Sequence, residues 1–490
     1  MRRMLHRTGR LLRRGFIVLV VLLVALLGLR AWDMSSAPPL RPWHLVVPDE
    51  LPIAALEAAD WAGYLAAENA AFDTVRREVT ERLDPEDQVL ANRYFAGSPM
   101  HGARFVQDWN RSFLLQPDGA PRGAVVFLHG LTDAPYSQRH IAERYQELGF
   151  IAFGPRLPGH GTVPAGLTKA TWEDWLAATR LAVREARKRI GPGLPLHIVG
   201  YSNGGALAMK YALDAIENPG LPKADRLVLI SPMIGITAFA RFAGLAALPA
   251  MLPAFAKTAW LGILPEFNPF KYNSFPVNGA RQSWRLTAAL QDQLRRMGAA
   301  ARLDALPPIL TFQSAVDATV STPAVLSALF AQLPANGSEI VLFDINRNAK
   351  LGPLLRPEVQ VLVDRLLPPA PRRYATVVVG NAGPDQDAVV ARLVAAGGTA
   401  EEVVPLSIAW PHELYSLSHV ALPFPPSDGL YGARPDPAPD EDFGMRLGAV
   451  APRGERNVLV LDLDSLVRAS SNPFYPYLMR RIEAVIAASR

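Results

Sequence analysis

Cysteine is absent from this chain. Its absence excludes disulfides, a thiol nucleophile, lipoprotein-type lipidation and cysteine-held metals, and it is compatible with an oxidising compartment without requiring one. Histidine is scarce, at nine residues in 490, so any imidazole chemistry has few candidates. Charge excess is also missing once the first residues are set aside. Residues 1–30 hold seven arginines and no acid, and taking that +7 from the total of +5 leaves about −2 for the remainder. A basic nucleic-acid surface therefore has no compositional support. No fixed-period repeat is present, which removes solenoids and propellers. Half the residues are apolar, enough for a sizeable core and too many for wholesale disorder.

The arginine-rich leader runs into fourteen uncharged residues, Phe16–Leu29, followed by Arg30-Ala31-Trp32. This layout fits an N-terminal membrane anchor, with Gly15 and the Arg30–Trp32 flank completing the span. A cleaved signal peptide has the same layout, but the triplet Ser35-Ser36-Ala37 stands before Pro38, a poor residue after a cut. The retained anchor is the preferred reading, with a secreted form after cleavage as its alternative. Arginines before the span predict an exported body, periplasmic or extracellular.

The rest of the chain reads as segments. Five prolines across residues 33–55 suggest a stiff tether, and residues 56–82 suggest a helix packed on the main body. From about 103, short apolar strands alternate with helices: strands near 124–128, 150–153, 195–199, 226–230, 309–312 and 339–343, helices near 136–148, 171–190, 203–217 and 322–333. That rhythm predicts an α/β fold with a doubly wound, mostly parallel sheet. Residues 233–304 interrupt it with apolar residues and prolines but no convincing strand, which suggests a helical cap. A second expansion reads as helix 357–367, strand 374–379, helix 385–396 and strand 402–406, an extra αβ unit. A Pro-rich stretch (423–442), strand 457–461 and helix 474–488 close the chain. The expected division is leader and anchor 1–32, tether and helix 33–102, core 103–232, cap 233–304, and core 305–490 with an insertion over 346–412.

The chemistry centres on Leu196-His197-Ile198-Val199-Gly200-Tyr201-Ser202-Asn203-Gly204-Gly205, a strand entering Gly-x-Ser-x-Gly and then a helix. Such a turn presents a serine hydroxyl beside a free backbone N–H. A serine needs a base to take its proton and an acid to orient that base, in the chain order Ser, acid, His for doubly wound hydrolases. Only His412 and His419 follow Ser202. His419 is preferred, because His412 directly follows Pro411 in a loop. Asp317, just after strand 309–312, is the preferred acid, with Asp344 its main rival. The oxyanion donors are expected to be the N–H groups of Leu131 and Asn203. His129 reads as a residue that positions its loop. Metal ligation is poorly supported, because the histidines lack paired spacing and do not cluster with carboxylates. No cofactor is needed.

His129-Gly130, Pro158-Gly159-His160-Gly161, Gly200–Gly204, Ser314–Val320 and Ser418-His419 together resemble the α/β-hydrolase superfamily. Thr171-Trp172-Glu173-Asp174-Trp175 after Pro158–Gly161 is similar to its monoacylglycerol lipase and serine-aminopeptidase-like branch. The resemblance spans about 103–345 plus the His419 segment. It implies an acyl-enzyme mechanism on carboxylic esters, such as a carboxylesterase, lysophospholipase or monoacylglycerol lipase. A peptidase or acyltransferase would use the same residues, and an inactive membrane-tethered binding module is an alternative of another class. The expected partners are a small ester or lipid and the membrane; the oligomeric state is not legible. The chain departs from the family where the histidine usually follows strand 339–343, since Asn346-Arg347-Asn348-Ala349-Lys350 stands there.

Overall fold

The computed structural model describes residues 2–235, 248–317, 319–349, 361–383, 386–412, 414–435, 439–448 and 468–489. Ten strands share one sheet: β1 (Phe113–Leu115), β2 (Gly123–Leu128), β3 (Phe150–Gly154), β4 (Leu196–Tyr201), β5 (Arg226–Ile230), β6 (Ile309–Ser314), β7 (Glu339–Phe343), β8 (Ala375–Asn381), β9 (Ala388–Val394) and β10 (Glu401–Ala409). Their order is β1-β3-β2-β4-β5-β6-β7-β8-β9-β10. From β3 to β8 every neighbouring pair is parallel, while β1 on one edge and β9 and β10 on the other are antiparallel. β2 and β4 are buried along their whole length, as strands covered on both faces must be.

The main helices are α1 (Arg2–Ser35), α2 (Trp61–Glu78), α3 (Arg139–Glu147), α4 (Trp172–Ile190), α5 (Asn203–Glu217), α6 (Val277–Ala299) and α7 (Tyr475–Ala488). One core joins α4, α5 and α6 through Trp175, Leu181, Leu207, Leu213, Leu290 and Leu294. The opposite core gathers α3, α7 and the segment around His419, with Tyr145, Ile482 and Leu417 among its members. The α4 N-terminus shows how a motif becomes structure. Thr171 accepts a hydrogen bond from the Asp174 N–H, Asp174 accepts one from the Thr171 N–H at 2.8 Å, and Trp175 Nε1 donates to Pro158 O at 3.0 Å. The capping box starts the helix and its first turn grips the Pro158–Gly161 loop.

Four expectations need correcting. The helix expected over 385–396 is not found among its described residues: residues 388–394 are β9, which pairs antiparallel with β8 and β10, so the second expansion is a β-meander rather than an αβ unit. Alternation along Ala388–Val394 is masked by consecutive apolar residues, which fit either period. The long helix of the insert, α6, is not cap; Leu286, Leu290, Leu294 and Met297 are buried in the core on a three- and four-residue stripe. The insert also has two short antiparallel strands, Trp260–Gly262 and Phe275–Pro276. Finally, residues 33–55 are no free tether. Trp43 and His44 are buried, His44 Nε2 lies 3.0 Å from Ser274 Oγ, and Glu50 pairs with Arg156 at 2.8 Å. Strand 457–461 and residues 357–360 of the expected helix 357–367 lie outside the described residues, as does the 236–247 portion of the insert; the rest of that helix is present as Leu362–Leu366.

The Pro-rich stretch is tied down through Asp428. Its carboxylate accepts from Arg139 Nη1 at 2.9 Å, Tyr136 OH at 3.0 Å and the N–H groups of Leu430 and Tyr431, and Arg139 also pairs with Glu441 at 2.6 Å. Burial alone would raise the Asp428 carboxyl, but Arg139 and His140 hold it well below the usual range. Both Arg139 and Asp428 are fully buried. Asp428→Ala is expected to destabilise the fold by about 3–5 kcal/mol, because it leaves the buried Arg139 guanidinium with Glu441 as its one carboxylate and takes the acceptor from the Tyr136 hydroxyl and two N–H groups. A denaturant titration measures this. Asp428 binds its proton less readily folded than unfolded, so the contribution is complete above about pH 4 and is lost as pH falls towards the depressed folded value.

Candidate active site

β4 lies in the middle of the sheet, flanked by β2 and β5, and its carboxyl end delivers the Gly200–Gly204 turn. Ser202 stands there at φ 54° and ψ −115°, the left-handed side of φ that serine rarely adopts. The glycines are required by close approach. A Cβ at Gly204 would fall 1.8 Å from Leu128 O, and one at Gly200 would fall 2.4 Å from Gly204 O. Two backbone bonds lock the turn: the Ser202 N–H donates to Ile230 O at 3.0 Å, and Ser202 O accepts from the Met233 N–H at 2.9 Å.

His419 arrives from the far side. Its Nε2 is 3.0 Å from Ser202 Oγ and its Nδ1 is 2.7 Å from Asp317 Oδ2. With the proton on Nδ1, the imidazole donates to the carboxylate and accepts from the hydroxyl. The Asp317 side chain is fully buried, and its Oδ1 accepts from the N–H groups of Thr319 and Val320 at 2.8 and 3.0 Å. Ser202, His419 and Asp317 thus form one hydrogen-bonded row. The rival residues lie elsewhere. His412 is half-exposed and its Nε2 lies 3.0 Å from Asp387 Oδ2, while Asp344 Oδ2 accepts from Arg347 at 2.7 Å.

The Leu131 loop passes directly over the serine: a Cβ at Gly130 would lie 3.3 Å from the Ser202 Cβ. His129 holds that loop. Its Nε2 accepts from the Leu157 N–H at 3.0 Å, its Nδ1 donates to Gly130 O at 2.9 Å, and burial pushes its pKa down to about 3, so it stays neutral. Thr132 takes a positive φ of 61°, with its carbonyl accepting from the Tyr272 N–H at 2.8 Å. The insert is thereby fastened to the loop that carries Leu131. Asn203 opens α5, where the first N–H groups have no partner within the helix.

Other residues also shape this site. Tyr201 stacks on His419, with ring centroids 5.4 Å apart, and donates its hydroxyl to His419 O at 3.3 Å. Gln313 Nε2 donates to Asp317 Oδ2 at 3.2 Å and to Thr322 Oγ1 at 3.0 Å. Asn346 Nδ2 donates to Pro411 O and Leu414 O, and its N–H donates to Tyr415 O at 2.6 Å. It pins the chain just before His419 to the end of β7. Tyr201 sits inside the serine motif and could have been examined from sequence; Gln313 and Asn346 gave no signal beyond standing at strand ends. Among the described residues, His140, Asp428 and Glu441 bring metal-type ligand atoms together, but the Arg139 guanidinium already engages both carboxylates there.

Residues 119–345 match the serine aminopeptidase, S33, hydrolase family. The core has the α/β-hydrolase fold. A thermostable monoacylglycerol lipase from Bacillus sp. (strain H-257) is 28% identical over 218 residues, which is 44% of this chain and 79% of that one. Among solved structures, a monoacylglycerol lipase of Paleococcus ferrophilus is 17% identical with a TM-score of 0.36, covering 52% of this chain and 97% of its own. A soluble variant of the Saccharomyces cerevisiae monoglyceride lipase is 14% identical with a TM-score of 0.37, covering 47% and 81%. With the family match and the Bacillus relative, the hydrolase is an ester-hydrolysing serine hydrolase. One helix, Arg13–Ser35, is long and apolar enough to cross a membrane by length and composition, with a mean hydropathy of 2.5. A signal sequence passes the same test.

Proposed function

We propose that this hydrolase cleaves monoacyl carboxylic esters of the monoacylglycerol or lysophospholipid kind through an acyl-enzyme. Ser202 Oγ attacks the carbonyl carbon while His419 Nε2 takes its proton. Asp317 holds the imidazole in the required tautomer and stabilises its charged form. The N–H groups of Leu131 and Asn203 donate to the oxyanion. His419 then gives the proton to the departing alcohol, and the ester bond breaks. Water enters, loses a proton to His419, and releases the carboxylic acid with Ser202 restored. The observation that carries this reading is the row Ser202–His419–Asp317, with bonds of 3.0 and 2.7 Å. The apolar insert fastened over the Leu131 loop supports an acyl substrate, since a lipid chain needs apolar walls.

A panel of soluble and lipid monoacyl esters tests the substrate class. The expected result is hydrolysis of monoacylglycerols or lysolipids with release of free fatty acid. Amine release from peptides, or transfer to an added acceptor alcohol in preference to water, would shift the reading to a peptidase or an acyltransferase.

The division of the chain into anchor, core, insert and β-meander is part of the same proposal, with α1 spanning a membrane and the body on its exported side. The whole chain is expected to pellet with membranes and to resist both high salt and carbonate, because apolar burial is not screened by ions. Residues beyond Ala37 are expected to be open to external protease in spheroplasts. A soluble periplasmic protein beginning after Ala37 would instead identify the leader as a signal peptide.

A further inference from the structure

The last turn of α1 does not simply lead into the body; it is fastened to the insert. Arg30 donates to Trp260 O, and Lys257 Nζ donates to the carbonyls of Ser35 and Ala37. Met34 is buried with Trp260 and Ile263 in a small apolar cluster of its own. The edge of a bilayer crossed by α1 would lie near Arg30 and Trp32, since such residues sit at the headgroup level. Trp32 is 75% exposed.

Around this junction stand Leu45, Leu252, Phe255, Leu261 and Leu264, each between 40% and 61% exposed. Their neighbourhood is set by direct contacts. The His44 ring packs edge-on against Trp260 at 4.9 Å, and Ser274 Oγ contacts both His44 Nε2 and the Leu264 N–H at 3.0 Å. A soluble surface rarely gathers large apolar side chains in this way unless something covers them. Eight residues beyond Leu264 in the sequence, the Tyr272 N–H holds Thr132 O in the loop over Ser202.

We propose that Leu45, Leu252, Phe255, Leu261 and Leu264 form a second membrane contact, immersed in the interfacial layer of the bilayer that α1 crosses. The occupant is the lipid itself, because the segment that carries the patch is fastened to the end of α1, where that helix would leave the bilayer. The consequence for the proposed function, on whose anchor this rests, is that an acyl ester reaches the site from the lipid phase beside the insert without first dissolving in water. The insert acts both as the contact and as the link to the Leu131 loop.

The absence of cysteine makes the test clean, since one introduced thiol takes a single label. Full-length Phe255→Cys, Leu261→Cys and Leu264→Cys, each carrying an environment-sensitive fluorophore, are reconstituted in phosphatidylcholine/phosphatidylglycerol vesicles. Val106→Cys and Val403→Cys, at exposed apolar sites away from the junction, serve as aqueous references, and Leu26→Cys reports on α1. The expected result is blue-shifted emission at 255, 261 and 264, with quenching by shallow spin-labelled lipid and protection from iodide, and the reverse at 106 and 403. Hydrolysis of a short soluble ester at the parental rate shows that each variant is folded. If position 26 is in lipid but 255, 261 and 264 are quenched by iodide like 106, the second contact is overturned while the anchor stands. If position 26 is itself aqueous, anchor and contact fall together. The hydrolase reading is tested by the soluble ester and survives either result.

Discussion

Ser202→Ala is expected to lower ester turnover by roughly four orders of magnitude or more while leaving the fold intact. The substitution removes one oxygen from a nearly buried position and opens no cavity worth a methylene, so stability is expected to change by less than about 1 kcal/mol. Alanine inherits the same φ of 54°, so the strain of the turn is neither relieved nor increased. Paired measurements of kcat and of the denaturation midpoint check both statements. Substantial residual turnover from a contaminant-free preparation would place the nucleophile elsewhere.

The second large effect is a contrast between residues. His419→Ala is expected to lose about three or more orders of magnitude in kcat, and His412→Ala to stay close to the parent. The reason is geometric: His412 is half-exposed and paired with Asp387, whereas His419 touches both Ser202 and Asp317. Asp317→Asn should likewise far exceed Asp344→Asn in effect, because Asp344 is engaged by Arg347. An amide at 317 offers the imidazole the wrong partner and favours the wrong tautomer. Equal losses at 412 and 419 would overturn the assignment of the base.

The core strands were legible because each is a short apolar run bounded by turn residues, and residues 203–217 and 226–230 agree with α5 and β5 to the residue. Ser202 was legible because its turn tolerates so few side chains, a constraint that shows as glycine at 200 and 204. His419 could be singled out through scarcity, with only two histidines downstream of the serine. What joins it to Ser202 could not. Residues 375–409 insert a β-meander between β7 and His419, and the return depends on Asn346 binding three carbonyls of residues 411–415. An asparagine that satisfies distant backbone leaves no periodic trace. The same blindness hid the packing of residues 43–51. Prolines suggested a stiff spacer, while Trp43, His44 and Glu50 each found a partner far along the chain. The insert was expected to be helical, but the length and stripe of α6 were not singled out, and which layer would claim it was a tertiary matter.

Covalent labelling decides whether Ser202 is the activated nucleophile. The full-length protein is treated with a fluorophosphonate, digested, and mapped by mass. One adduct is expected, on the peptide containing Ser202, formed rapidly in the parent and in His412→Ala but only slowly in His419→Ala. An adduct on another serine, or no adduct on folded protein, would contradict that assignment.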